Sequence, residues 1–237
     1  MTVILHNALP DALRVPHSLP GVAPCAPDDW LRVDEVYAAQ MAYRMALIAR
    51  QPDAVLWMAP EALPAAQEML EEALGILPAL GFTRQGYDVI CPDGRVVALN
   101  WDDPFYSLGH LVQQDICLLE KRGAEHVLTG AVLCFPANWR LADKVGRPLG
   151  AIHEPVDEYD DNLARRVQRL FNGVRAGRPL RRFNRLSYVD ADLHQPFRKA
   201  TGMVERFTRS ERQCILRLPK TDAVVFTIHT YVVIKAG

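Results

Sequence analysis

No stretch of this chain gathers glycines as a phosphate-binding loop requires. Its 14 glycines are dispersed, and there is no GxGxxG after a strand pattern, no Walker loop, no HExxH and no GxSxG. These absences leave the sequence without a recognisable flavin, nicotinamide or nucleotide site of its own, and without the signatures of a zinc protease or a serine hydrolase. Cysteine is scarce and scattered: Cys25, Cys91, Cys117, Cys134 and Cys214 are odd in number and lack CxxC spacing. That pattern argues against a disulfide framework, a structural zinc site or an iron–sulfur cluster. No apolar run approaches the roughly 18 residues of a membrane span. The N-terminal stretch MTVILHNALPDALRVPHSLPG lacks a basic start and a long apolar segment, so no secretion signal is read there. With the scattered thiols, this predicts a cytoplasmic location. A net charge of −1 gives no global field toward nucleic acid or an anionic membrane surface.

What is present is ordinary globular material, 49% hydrophobic and 23% charged over 237 residues, enough for a full core. Residues 1–29 are rich in proline, lack periodicity and read as an irregular arm. The spacing predicts helices over 34–50 and 60–80, with a short strand between them at 54–58. The period then changes. Segments 87–91 and 95–100 flank Pro92-Asp93-Gly94, a hairpin turn. A helix is expected at 104–114, followed by a second hairpin of 116–121 and 126–135, the latter strand covered on both faces. A short helix is expected at 139–145, capped by Asn138, then an amphipathic helix at 157–174. Strands are expected at 180–189, 213–218 and 223–233. Helices first and antiparallel strand pairs later favour an α+β fold, with an N-terminal arm and helices (1–85) packed on a core (86–237).

Two kinds of residue could carry chemistry. His153 stands in Leu149-Gly150-Ala151-Ile152-His153-Glu154-Pro155-Val156, an apolar and small-residue setting. A neutral imidazole there suits a haem axial ligand, or a core histidine bonded to a carbonyl. His229 shares a strand face with Thr227 and Tyr231, a face that lines a cavity or, as expected first, meets water. Arg206, Arg209, Glu211 and Arg212 form one dense charged cluster, and Arg181, Arg182 and Arg185 another. Guanidinium groups pair bidentately with carboxylates, so these clusters either bind an anionic ligand or pair with one another at the surface. The cysteines within strand-like runs read as small buried hydrophobes.

Several segments, taken in order, carry a resemblance. They are Trp30-Leu31-Arg32-Val33-Asp34 with Tyr37, then Asp115-Ile116-Cys117-Leu118-Leu119, then Phe135-Pro136-Ala137-Asn138-Trp139. Gly146-Arg147-Pro148-Leu149, Ile152-His153-Glu154-Pro155-Val156, Glu211-Arg212-Gln213 and Phe226-Thr227-Ile228 follow. Together they resemble the haem-binding subunit of haem-dependent oxidative N-demethylases. The resemblance implies a PAS-like antiparallel sheet with flanking helices and a haem b cofactor. It implies oxygen-dependent removal of a methyl group from a small secondary or tertiary amine, giving formaldehyde. Electrons would come from a partner reductase bearing flavin and iron–sulfur centres. Carried onto this chain, His153 would hold the iron, Arg182, Arg206 and Arg212 would be candidates to anchor the propionates, and Glu211 would orient the protonated amine. The same pocket would also suit a haem sensor or carrier without turnover, or a haem-less interaction subunit. The chain departs from the family pattern at Asp157-Glu158 and at Asn184-Arg185, where Pro-Gly and Asn-Trp are expected.

Overall fold

A computed structural model describes residues 3–10, 21–153, 161–197 and 202–235, though not the side chains of residues 153 and 161–165. The chain enters through β1 (Ala23–Pro24) and reaches α1 (Tyr37–Arg50), which buries Tyr37, Met41, Arg44, Leu47 and Ile48 at helical spacing. Pro52 opens the short α2 (Pro52–Val55), and β2 (Leu56–Met58) follows. The expected strand at 54–58 is thus split, its first half being taken by a helical turn that proline starts. α3 (Leu63–Ile76) buries Ala65, Ala66, Met69, Leu70 and Ala73, and a 3₁₀ turn ends on Gly81 at φ +90°. Its small residues let neighbouring elements approach closely.

β3 (Thr83–Gln85), β4 (Asp88–Ile90) and β5 (Val96–Ala98) form a separate three-stranded antiparallel sheet that includes the expected Pro92–Gly94 hairpin. α4 (Pro104–Leu111) is capped by Asp103, whose carboxylate accepts from the Tyr106 N–H at 3.0 Å. Then come the long elements: β6 (Asp115–Arg122), β7 (Glu125–Val132), α5 (Leu149–His153), α6 (Asp161–Gly173), β8 (Leu180–Tyr188), β9 (Phe207–Arg217) and β10 (Val224–Ile234). They build a seven-stranded sheet in the order β1-β8-β9-β10-β6-β7-β2, with antiparallel pairing throughout. The fold is α+β. Both edge strands, β1 and β2, come from the first 85 residues.

Each face of the sheet has its own apolar layer. Ile116, Leu118, Cys214, Leu216 and Val225 join Met41, Met69, Leu70 and Leu108 of the helices on one face. Cys117, Leu119, Leu128, Ile215 and Val224 pack with Leu149, Phe171 and Val174 on the other. β7 is buried along nearly its whole length, which is why its alternation is imperfect in sequence.

Two further expectations are corrected. Asn138 does not cap a helix: its φ is +63°, its side-chain amide donates to the Tyr188 hydroxyl, and only a 3₁₀ turn at Leu141–Asp143 follows. β9 begins at Phe207, six residues before the expected start, and so takes in Arg209, Glu211 and Arg212 of the charged cluster. Charged side chains are compatible with a central strand here because each finds a partner within the fold. The beginning of the expected helix at 157–174 lies outside the described residues.

α4 packs tightly on β7 at Gly130. A Cβ there would come within 2.3 Å of the Phe105 ring, which is itself buried. Gly130→Ala is therefore expected to cost about 1–3 kcal/mol through overpacking, read as a lower urea midpoint with an unchanged slope. A midpoint equal to that of the parent chain would show that the α4–β7 contact yields freely.

Candidate functional site

Alternation along β9 decides which side chains meet. Arg209, Glu211 and Gln213 project to the face that carries α5 and α6, while Ser210, Arg212 and Cys214 project to the other. Glu211 is 4% exposed and is held at several points. Its backbone N–H donates to Asn184 Oδ1 at 2.8 Å, and Asn184 Nδ2 donates back to Glu211 Oε2 at 2.7 Å. Gln213 Nε2 adds a bond to the same oxygen at 3.0 Å, and Arg209 Nη2 approaches Oε1 at 3.3 Å. Asn184 lies directly opposite Glu211 in the β8–β9 register, so one side chain clamps both the main chain and the carboxylate of its neighbour. Arg209 also donates to the carbonyls of Leu193 and Phe135. Its charge is thereby shared with main-chain acceptors, and Glu211 is not neutralised by a bidentate pair.

Arg182 sits opposite Gln213 in the same register, on the Glu211 face. It is half-buried, and its Nε is shielded from solvent with no hydrogen-bond partner among the described residues. Burial lowers its pKa, with the charge of Glu211 only partly opposing the effect. Among the described residues no carboxylate pairs with this guanidinium.

Across the sheet the chemistry is different. Arg212 is 1% exposed, donates to Asp29 Oδ2 at 2.7 Å and sets its Nη1 3.0 Å from Cys214 Sγ. Beside it, His229 is also 1% exposed, not the water-facing residue its strand face suggested. Asp34 Oδ2 lies 2.8 Å from His229 Nε2 and 2.9 Å from His6 Nε2. These ligand-type atoms fall within 4.8 Å of one another, close enough to raise the question of a cation. The outer nitrogens answer it. His6 Nδ1 accepts from the Val232 N–H at 3.2 Å, and His229 Nδ1 faces Gln114 Nε2 at 2.6 Å. The same Gln114 nitrogen donates to the Arg32 carbonyl at 2.9 Å, which fixes the amide's orientation. Both imidazoles therefore carry their proton on Nε2 and donate to Asp34. The trio is a hydrogen-bonded clamp between the N-terminal segment and β10. His6 and Asp34 line a cleft of about 340 Å³ together with Arg32, Glu35 and Tyr231.

The sheet thus divides the residues singled out in the sequence. Glu211 and Arg182 come together. Arg212 lies on the opposite face, committed to Asp29, because neighbours in a strand point opposite ways. Arg206 is exposed ahead of β9, its main chain bonded to Tyr188 and Lys235. His153 is the last residue of α5, and its side chain lies outside the described residues. Asn184 and Gln213, which hold Glu211, are not singled out by the sequence, where Asn184 stands only as part of the departure from the family pattern. The same holds for His6 and Asp34, since their partner is more than 190 positions away.

A family model described as haem-dependent oxidative N-demethylase, alpha subunit-like, matches residues 21–234. The chain belongs to this family. The family name indicates dependence on haem and a subunit that works with others. Among the described residues, no helix is long and apolar enough to cross a membrane. The donor set on the Glu211 face fits a haem: an arginine lacking an anion suits a propionate, and a carboxylate lacking a bidentate cation suits an ammonium group.

The clamp on the far face has a pH signature. Burial by itself would raise the Asp34 carboxyl, but the hydrogen bonds from His229 and His6 outweigh it and hold the carboxyl well below the usual carboxylate range. The folded chain resists protonation there while the unfolded chain takes up a proton near pH ~4. The stabilisation is therefore present above that pH and is lost as pH falls toward the depressed folded value. Asp34→Asn is expected to lower stability at pH 7 by about 1–3 kcal/mol and to flatten the loss between pH 5 and pH 3. Equal acid slopes in urea titrations of the two proteins would remove Asp34 from that role.

Proposed function

We propose that this chain is the haem b-binding component of an oxidative N-demethylase, acting on a small secondary or tertiary amine. The observation that carries the reading is the pairing on one sheet face of an anion-deficient Arg182 with a rigidly held Glu211, within a chain of this family. The five long strands, β6 to β10, form one antiparallel block with α5 and α6 inserted between β7 and β8. This supports the PAS-like reading of the core.

When bound, haem supplies oxygen activation and accepts electrons, here from a partner reductase bearing flavin and iron–sulfur centres. The overall change is an N-methyl amine, oxygen, two electrons and two protons going to the demethylated amine, formaldehyde and water. The chain's own groups have separable tasks. His153 is the proposed iron ligand. Arg182 pairs with a propionate and recovers the charge compensation that burial denies it. Arg206, exposed at the start of β9, is free to serve the second propionate, whereas Arg212 stays with Asp29. Glu211 accepts the N–H of the protonated amine and sets which methyl faces the reacting centre. Asn184 and Gln213 keep the carboxylate in place before substrate arrives, so little ordering is left to the binding step.

Haem-supplied protein is expected to show a Soret band that shifts when dimethylamine is added. In Glu211→Gln the band is retained and the amine-dependent shift weakens by about 10-fold or more in amine affinity, the loss of one charge-assisted hydrogen bond. Arg182→Ala lowers haem affinity by a similar factor, and His153→Ala abolishes the bound-haem spectrum. Absence of any Soret band after adequate haem supply overturns the reading. An unchanged spectrum in His153→Ala moves the ligand elsewhere while leaving the rest in place.

A further inference from the structure

Residues 165–185 carry eight arginines and no lysine, aspartate or glutamate. Eight of the chain's 27 basic residues thus lie here and none of its 28 acidic ones, which leaves 19 basic residues against 28 acidic ones elsewhere. A net charge of −1 conceals this uneven distribution. The segment runs down α6, through a turn in which the Arg178 N–H donates to the Arg175 carbonyl at 3.0 Å, and along β8. Arg166, Arg169, Arg175, Arg178 and Arg185 are exposed, and Arg181 is half-buried with its guanidinium 5.5 Å from the centre of the Phe183 ring. Among the described residues none of these six has a carboxylate partner, whereas eight arginines elsewhere are paired.

β8 is also the open side of the large sheet. β1 covers it only at Leu180 and Arg181. Beyond β1 the chain crosses one face of β8 to Asp29, which Arg212 of β9 holds. From Arg182 to Tyr188 the outer edge of β8 has no strand partner among the described residues. A free edge bordered by unpaired charge is a docking rim. Its main chain offers N–H and C=O groups in alternation. Another polypeptide matches both, whereas the phosphate backbone of a nucleic acid supplies acceptors alone. The guanidinium groups call for carboxylates in the same place. The net acidic remainder of the chain repels an extended polyanion or an anionic bilayer, yet it orients an acidic protein of limited size onto the rim. β8 also supplies Arg182 and Asn184 to the Glu211 site, so a molecule seated on its edge is one strand away from Glu211.

We infer that the outer edge of β8, with Arg175, Arg178, Arg181 and Arg185, is the surface on which the electron-donating partner docks through a carboxylate-rich face. This role rests on the reading of the chain as a haem-binding subunit supplied with electrons from outside, and it adds where that supplier is recognised and by what charge. Contacts between redox partners are small and transient, and their formation is driven by complementary charge and weakened by salt. Arg166 and Arg169 on α6 extend the field that steers the encounter.

The test compares the full chain with a variant carrying Arg175→Gln, Arg178→Gln, Arg181→Gln and Arg185→Gln. A control loses the same charge elsewhere, through Arg50→Gln, Arg84→Gln, Lys121→Gln and Arg122→Gln. Should the fourfold β8 variant misfold, the pair Arg178→Gln and Arg185→Gln, both exposed, takes its place. The first probe is immobilised poly-L-glutamate. The parent chain and the control bind it with an affinity that falls as salt rises, and the β8 variant binds about 10-fold more weakly. The second probe is reduced flavodoxin, a small acidic flavoprotein, mixed without oxygen with the haem-supplied chain while the Soret band is followed. At low salt the β8 variant is reduced about 10-fold more slowly than the control, with the same final extent of reduction. Equal poly-L-glutamate affinity in the β8 variant and the control overturns the inference, as does an equal rate of reduction by flavodoxin. Tighter binding of the parent chain to duplex DNA or to phosphatidylserine vesicles than to poly-L-glutamate, lost in the same variant, assigns the rim to those partners and also overturns it. A chain without a Soret band overturns the haem reading, while the poly-L-glutamate comparison still decides whether β8 takes an acidic protein.

Discussion

The arrangement depends on one constraint: a β-strand sends adjacent side chains to opposite faces. β9 places Arg209, Glu211 and Gln213 on one face and Ser210, Arg212 and Cys214 on the other, in the middle of a sheet covered on both sides. Burying that many polar groups would cost far more than a small fold has available unless each were compensated. Compensation differs by face. Glu211 receives bonds from a cross-strand asparagine and a same-strand glutamine, whereas Arg212 takes Asp29 from the crossing segment. The Glu211 site and the anchoring of the segment that bears Asp29 both follow from how those two sets are partnered.

The two faces do different work for that reason. On the Arg212 face, charges are closed against each other, and the N-terminal segment serves as the lid of its own network. On the Glu211 face the compensation is left incomplete. Arg182 has a buried nitrogen with no partner among the described residues, and Glu211 has positional support without full neutralisation. Buried guanidinium nitrogens without a partner among the described residues occur on both faces, at Arg212 as at Arg182, so what sets the Glu211 face apart is a half-buried guanidinium that no described carboxylate pairs with. This is a stronger pointer to ligand binding than the size of any surface cleft, because it names the charge the guest must bring.

Much of the architecture was legible in the sequence. The Pro92–Gly94 turn, the hairpin about Gly123, the helix at 37–50 and the final strand all follow from turn chemistry and periodicity, which are local. What escaped notice was non-local. Nothing near position 211 announces that Asn184 will stand opposite it, since register is a property of the assembled sheet. The charged run at 206–212 reads as surface because burial of arginine is rare without partners, and those partners lie at positions 29, 135 and 193. His229 has the same history: a histidine alternating with threonine and tyrosine reads as solvent-facing until Asp34 arrives from the other end of the chain. The family resemblance supplied identity where local chemistry could not, but it could not tell which arginines share a face.

β10 lies at the centre of the large sheet, between β9 and β6, yet it follows every other strand in sequence. During synthesis the hairpins β6–β7 and β8–β9 can each form early, but the element that joins them emerges after both. Until then, each half carries an open edge where β10 belongs, the kind of surface that invites pairing with another nascent chain. The helices and the N-terminal crossing, made first, also wait for this strand, because His6 is anchored to Val232. The fold is thus assembled outward in space from a strand that emerges after the others described, and its period of greatest exposure to misassembly falls before that strand appears.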